Sequence, residues 1–218
     1  MNSTKTLSPE IADELVRELI ARHQVDVILL YGSFARGDAN PESDLDFVCL
    51  RVDGESQVDA RDWNGFMLDG WIYPRSAAQK PEEFLHLCDA KVLLDRDGIG
   101  HAFLESIKDS IKKPITPLPT DKLTQLEFWC YKMLKRAKRG DAEGNFRRLW
   151  LQHDLLEIFF QVRCRRYCGP KLAIAELKNI DARAHEAFLF AIEPGASFDA
   201  IEKFVELVFA GKVLGPST

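Results

Sequence analysis

Apolar and polar positions follow two regimes along the chain. Up to about residue 111, short apolar runs of strand length alternate with helical stripes; beyond residue 120 only helical periodicity remains. Ser8-Pro9-Glu10 has the chemistry of a helix start, and Ile11, Leu15, Leu19 and Ile20 continue at helical spacing to about His23. His23 at that end reads as a favourable terminal charge rather than a catalyst. Val25 to Tyr31 predicts a buried strand, Asp44 to Arg51 a second, and Phe66 to Tyr73 a third closed by Pro74-Arg75. The polar stretch Val52 to Asn64 between the last two reads as a loop with solvated acids. A short helix over 81–88, a strand over Lys91 to Asp95 and a helix over 100–111 complete this half, with Asp95 read as a turn residue. The crossover between the first two strands is short, so they should be antiparallel and the sheet mixed.

Lys112-Lys113-Pro114-Ile115-Thr116-Pro117-Leu118-Pro119-Thr120 stops helix and strand alike, because proline removes a donor and fixes φ. Helices are then expected over 121–139, 143–167, 171–177, 182–192 and 198–209. Leu123, Leu126, Cys130, Met133 and Ala137 stripe the first, and Phe146, Leu149, Trp150, Leu156, Phe159 and Phe160 carry the second. The expected architecture is therefore α+β: a small mixed-sheet domain over 1–113, a proline-rich linker over 114–120, and an all-α helical bundle over 121–218.

The stretch with the most chemistry lies between the first two strands. The first strand stops at Gly32-Ser33, a small pair that permits a sharp turn. Asp44 and Asp46 then project from one strand face, about 7 Å apart along the chain. Two adjacent carboxylates repel, and a hard divalent cation with oxygen ligands would give them a reason to be there. Gly32-Ser33, ten intervening residues and Asp44-x-Asp46 resemble the signature of the DNA polymerase β-like nucleotidyltransferase superfamily. Arg36-Gly37-Asp38 and Ser43 resemble its small bacterial members, including the antibiotic nucleotidyltransferases. That pattern expects a third carboxylate on a neighbouring strand, and Asp69 stands alone in an otherwise apolar one. A helical bundle after such a domain resembles kanamycin nucleotidyltransferase-like enzymes.

The resemblance implies an Mg²⁺-dependent transfer of AMP from ATP, or of NMP from another NTP, to a hydroxyl of a small molecule, with release of pyrophosphate. An aminoglycoside-like antibiotic is the natural candidate acceptor. Asp44 and Asp46 would ligate two Mg²⁺ ions, and Asp69 would complete the second site or take the acceptor's proton. Gly32 and Ser33 would cradle the phosphates, and Arg36 would reach a phosphate or pair with Asp38. Lys132, beside Phe128 and Tyr131, is the candidate cation of the helical half, although each of Lys132, Lys135, Arg136 and Arg139 taken singly reads more readily as part of a solvated basic face. Glu127 and Glu157 are further candidates for the base. His153 and Glu157 read as a buried polar pair, the other option being an acceptor pocket; Arg163, Arg165 and Arg166 read as mixed surface. Related enzymes often build the site across a dimer, which implies a homodimer.

Composition narrows the alternatives. The net charge of −5 argues against a general nucleic-acid binder but conceals a split. Residues 1–110 hold 11 Lys and Arg against 21 Asp and Glu, net −10, while residues 111–218 hold 18 against 13, net +5. An acidic metal-holding half and a basic half suit a metal–triphosphate. The sequence has no apolar run long enough to cross a membrane and no signal-peptide core at its start. Five cysteines without zinc-type spacing suit a reducing cytoplasm, and Cys164 and Cys168 read as core packing. Two other functions fit the signature: an antitoxin that modifies a protein side chain, and a non-catalytic nucleotide-binding module. The helical bundle within the chain favours a self-contained enzyme over the first; the presence of all three acids speaks against the second.

Overall fold

The computed structural model describes residues 5–215. The chain divides into two compact units, Met1–Lys113 and Pro114–Thr218.

In the first unit, α1 (Pro9–His23) opens where expected: Ser8 is the N-cap, its hydroxyl accepting from Ile11 N, with Pro9 in the first turn. β1 (Val27–Tyr31) leads into a short helix, α2 (Gly32–Arg36), and then come β2 (Leu45–Arg51), β3 (Gln57–Trp63) and β4 (Phe66–Pro74). Two 3-10 segments, Arg75–Gln79 and Pro81–Leu87, precede β5 (Lys91–Asp95) and α3 (Ile99–Lys112). The sheet order is β3-β4-β2-β1-β5. β1 is antiparallel to β2, whereas β2 runs parallel to β4, so the sheet is mixed and the fold is α+β. Strand alternation divides the core into two layers. Ile28, Leu30, Leu45, Phe47, Cys49, Leu68 and Ile72 pack with Leu15 and Leu19 of α1. Val27, Leu29, Val48 and Leu50 pack on the opposite side with Phe84, Leu87, Phe103, Leu104 and Ile107. Asp95 accepts from His101 N at 3.0 Å at the start of α3, in keeping with its reading as a turn residue.

The predicted loop over 52–64 is corrected by β3, whose apolar pattern is inverted. Val58 and Ala60 face solvent, while Asp59, Arg61 and Trp63 turn inward. Asp59 is buried rather than solvated, and it receives His23 Nε2 at 2.8 Å and Arg61 Nε at 2.8 Å; Arg61 also reaches Glu18 at 2.9 Å. His23 is therefore a partner in a buried network rather than a simple terminal charge. Inward charges on an edge strand also discourage pairing with another chain. Burial alone would raise the Asp59 pKa, but the bonds from Arg61 and His23 more than offset it and the net shift is downward. That contribution to stability is fully present above the ordinary carboxylate value of about 3.9 and is lost as pH falls through the lower folded value. Asp59→Asn should destabilise the unit by about 3 kcal/mol, leaving its cations underpaired. It should also flatten the fall of melting temperature below about pH 4, as read by thermal scans of both proteins.

The second unit is helical: α4 (Thr120–Ala137), α5 (Ala142–Gln161), α6 (Pro170–Ile180), α7 (Ala182–Ile192) and α8 (Phe198–Ala210). Leu123, Cys130, Met133 and Ala137 of α4 are buried together with Leu151, Leu155, Phe159, Phe160, Phe204 and Val208. The expectations fail here at three places. α5 ends at Gln161 rather than near Tyr167: Cys164 takes a positive φ of 54° and Arg165 N donates back to Phe160 O at 2.9 Å, while the Arg163 side chain donates to Phe159 O at 3.2 Å, Val208 O at 2.6 Å and Leu207 O at 2.7 Å. Arg163 thus ties down the last turn of α8 instead of joining a mixed surface, and a methyl on Gly211 would meet its guanidinium at 2.5 Å. Second, Cys164 and Cys168 fall beyond the shortened α5, half-buried and exposed, and are not core residues. Third, Phe146, Leu149 and Trp150 are 62%, 67% and 41% exposed, so the buried stripe of α5 lies around Leu151, Leu155 and Phe159 instead. No helix among the described residues is long and apolar enough to cross a membrane.

Candidate active site

The β1–α2 turn and the start of β2 bring the signature residues together. β1 ends at Tyr31, and Gly32 takes a positive φ of 71° to begin α2. Gly37, at φ 81°, closes this single turn by donating its N–H to Ser33 O. In the antiparallel β1–β2 ladder Tyr31 faces Asp46, and in the parallel β2–β4 ladder Asp46 faces Asp69. Tyr31, Asp46 and Asp69 therefore form one row across three strands, on one side of the sheet. Asp44, two residues ahead of Asp46 and just outside β2, shares that side.

Asp46 is half-buried, as is Tyr31, whereas Asp44 and Asp69 are exposed. Its carboxylate occupies the space a side chain at Gly32 would take: a methyl built there lies 2.1 Å from Asp46 Oδ2 and 2.9 Å from its Cγ. Glycine is thus required twice at this position, by its backbone angle and by the acid above it. Burial, then the neighbouring charges of Asp69 and Asp44, push the Asp46 pKa up to about 6, against a weaker pull from Arg36. The same surroundings raise Tyr31 to about 12, through burial first and then Asp46 and Asp69. The Tyr31 ring is held edge-on against His86, with centroids 5.2 Å apart.

Three carboxylates in the order expected for hard-cation binding thus lie on one side of the sheet, and a divalent ion would relieve their mutual repulsion. All-oxygen donors of this kind suit Mg²⁺ or another hard cation. Among the described residues no three His, Cys, Asp or Glu side chains close tightly enough to hold an ion as they stand. The fit is therefore one of donor chemistry and placement. The Ser33 hydroxyl makes no hydrogen bond within the described residues, and it sits where the helix start presents its N–H groups.

Arg36 pairs with Asp38, one of the two options weighed in the sequence, and takes a second, closer partner besides. Its Nη1 donates to Asp89 Oδ2 at 2.9 Å, while Asp38 lies 3.5 Å from Nε. Asp89, in the loop before β5, drew no notice in the sequence because nothing local distinguishes it from a surface acid. Lys132 is exposed on α4, its ammonium 5.9 Å from the centre of the Phe128 ring. Glu127 is bound in an ion pair by Lys212. His153 and Glu157 are not a buried pair: both are exposed, and His153 bonds its neighbour Asp154 at 2.8 Å. The buried polar residue of α5 is Gln152, which donates to Ala191 O at 2.6 Å.

Among curated proteins none matches the chain. Among solved structures it is similar to a nucleotidyltransferase-like protein from Exiguobacterium sibiricum 255-15, at 11% identity and a TM-score of 0.40, over 93% of this chain and 72% of that one. The family model described as "Nucleotidyltransferase domain" matches residues 12–139, from α1 through the end of α4 and so across the whole Gly-Ser and aspartate site. With that match over more than half of its length, the chain belongs to the nucleotidyltransferase domain family and is a nucleotidyl-transferring enzyme.

Proposed function

We propose that this enzyme transfers AMP from ATP, or NMP from another NTP, to a hydroxyl of a small molecule in an Mg²⁺-dependent reaction, with residues 1–113 as the catalytic domain and 121–218 as its helical domain. The observation that carries this reading is the Asp46–Asp69 pairing in register, with Asp44 beside it and the Asp46 carboxylate packed on Gly32. Asp44, Asp46 and Asp69 are the residues that would hold the metal. Bound there, the metal would supply charge neutralisation for the triphosphate and for the attacking and leaving oxygens.

The remaining work belongs to the chain's own groups. Gly32 and Ser33 offer backbone N–H groups and a hydroxyl to phosphate oxygens. Lys132 is the candidate cation for the triphosphate from the helical domain. Arg36, anchored by Asp89 and Asp38, sets a positive field beside Asp46. In the reaction the acceptor oxygen bonds to the α-phosphorus, the bond to the departing pyrophosphate breaks, and the hydroxyl proton passes to a base. Asp69 is our candidate base because its exposed carboxylate stands in register with Asp46, whereas Glu127 is bound by Lys212 and Glu157, also exposed, lies on α5 of the helical unit. An aminoglycoside-like acceptor is compatible with the acidic surroundings, since a polycation would be drawn to them.

The test is pyrophosphate release from each of the four NTPs with Mg²⁺ and a panel of hydroxyl acceptors, aminoglycosides first. Acceptor-dependent release that needs Mg²⁺ and is lost in Asp69→Asn is the expected result. Release that persists in full without any divalent cation would refute the metal assignment.

A further inference from the structure

The helical unit contains a groove of its own, about 590 Å³ in volume, between α4 and α5. That size lies within the range of small-molecule sites. Leu126, Trp129 and Ile158 supply apolar wall, and Asp154 and Glu157, three residues apart on α5, stand on the same side of it. The Trp129 ring is braced edge-on by Trp150, with centroids 5.8 Å apart, so it is a prearranged surface.

The bland alternative is a solvated crease with two ordinary surface acids. Charge pairing argues against it. Residues 111–218 carry 18 Lys and Arg against 13 Asp and Glu, so cations are in excess. Yet among the described residues Glu157 makes no ion pair, and Asp154 has only the His153 ring as partner, at 2.8 Å. Lys122 lines the same groove without pairing with either acid. Two acids and one lysine leave the lining with one net negative charge, and the lysine repels any second positive centre.

We propose that the α4–α5 groove binds a small organic monocation with an apolar body, its ammonium received by Asp154 and Glu157 and its body laid against Trp129. An aromatic face beside a carboxylate pair is favourable to such a ligand through charge pairing, cation–π attraction and apolar contact together. The site lies wholly within the helical unit and does not rest on the nucleotidyl-transfer reading.

The test uses the full chain and two isosteric probes, phenethylamine and neutral 2-phenylethanol, followed by saturation-transfer NMR and tryptophan fluorescence. Phenethylamine should bind about tenfold or more tightly than the alcohol, a difference of about 1.4 kcal/mol. Asp154→Asn/Glu157→Gln should erase that preference, and Trp129→Leu should weaken both probes. These side chains reach solvent, and unchanged melting temperatures would show that the fold survives the substitutions. Asp44→Asn/Asp46→Asn should leave amine binding intact, so that failure of the nucleotide site and failure of this one are separable. Equal binding of amine and alcohol, no binding of either, an unchanged preference in the α5 double variant, or loss of binding in the Asp44/Asp46 variant would each overturn the proposal.

Discussion

Asp44→Asn/Asp46→Asn should lower turnover by about 10³-fold or more, equivalent to about 4 kcal/mol of lost transition-state stabilisation, while the protein melts at an unchanged or higher temperature. The two effects have one origin. Asp46 is half-buried in a row with Asp69 and next to Asp44, and its pKa is raised to about 6 by that burial and those charges. A carboxylate whose folded pKa lies above its unfolded value destabilises the metal-free fold at neutral pH, and the penalty fades as pH falls through the folded value. Removing two of the three charges relieves the repulsion, but it also removes the oxygens that would hold a cation. Melting in the presence of a chelator and pyrophosphate release in Mg²⁺ read the two effects separately. Loss of stability together with activity would mean that these acids serve the fold and not the chemistry.

Gly32→Ala should come close to that effect without altering a single charge. At φ 71° an L side chain is strained, by about 1–2 kcal/mol. The larger consequence is local: the new methyl would sit 2.1 Å from Asp46 Oδ2 and 3.2 Å from its Cβ, so the carboxylate must move. Displacing a reacting constellation by about 1 Å can cost about 10²-fold in rate, and Gly32→Ala should lose at least that. Gly37→Ala is the matched control. Its φ of 81° carries a similar backbone penalty, but nothing lies within 4 Å of the added methyl. It should lose comparable stability and keep most of its activity. Equal activities for the two variants would show that the contact between Gly32 and Asp46 has no functional role.

The elements that position the site were legible where residues near in sequence fix the geometry. The apolar run into Gly32-Ser33 and the shared face of Asp44 and Asp46 follow from strand periodicity, whereas the lone acid of β4 stands out because the resemblance expects a third carboxylate. The in-register pairing of Asp46 with Asp69 did not follow, because a parallel partner strand is chosen by the whole sheet and not by either strand. β3 escaped because its inward positions hold a salt-bridge network where pattern reading looks for apolar residues. The same limit hid the Arg36–Asp89 contact, 53 residues apart in the chain. In the helical unit the periodicity located all five helices, but it assigned Phe146, Leu149 and Trp150 to the core they do not enter. A helix with apolar residues on several sides does not declare which side is buried.

The central claim is that Asp44, Asp46 and Asp69 make a metal-dependent nucleotide site, and calorimetric titration of ATP, GTP, CTP and UTP with and without Mg²⁺ tests it most directly. At least one nucleotide should bind the native chain with Mg²⁺, bind far more weakly without it, and give no heat with Asp44→Asn/Asp46→Asn. Equal nucleotide binding by the native and double-variant proteins in Mg²⁺ would contradict the account, because the acids would then have no part in holding the triphosphate.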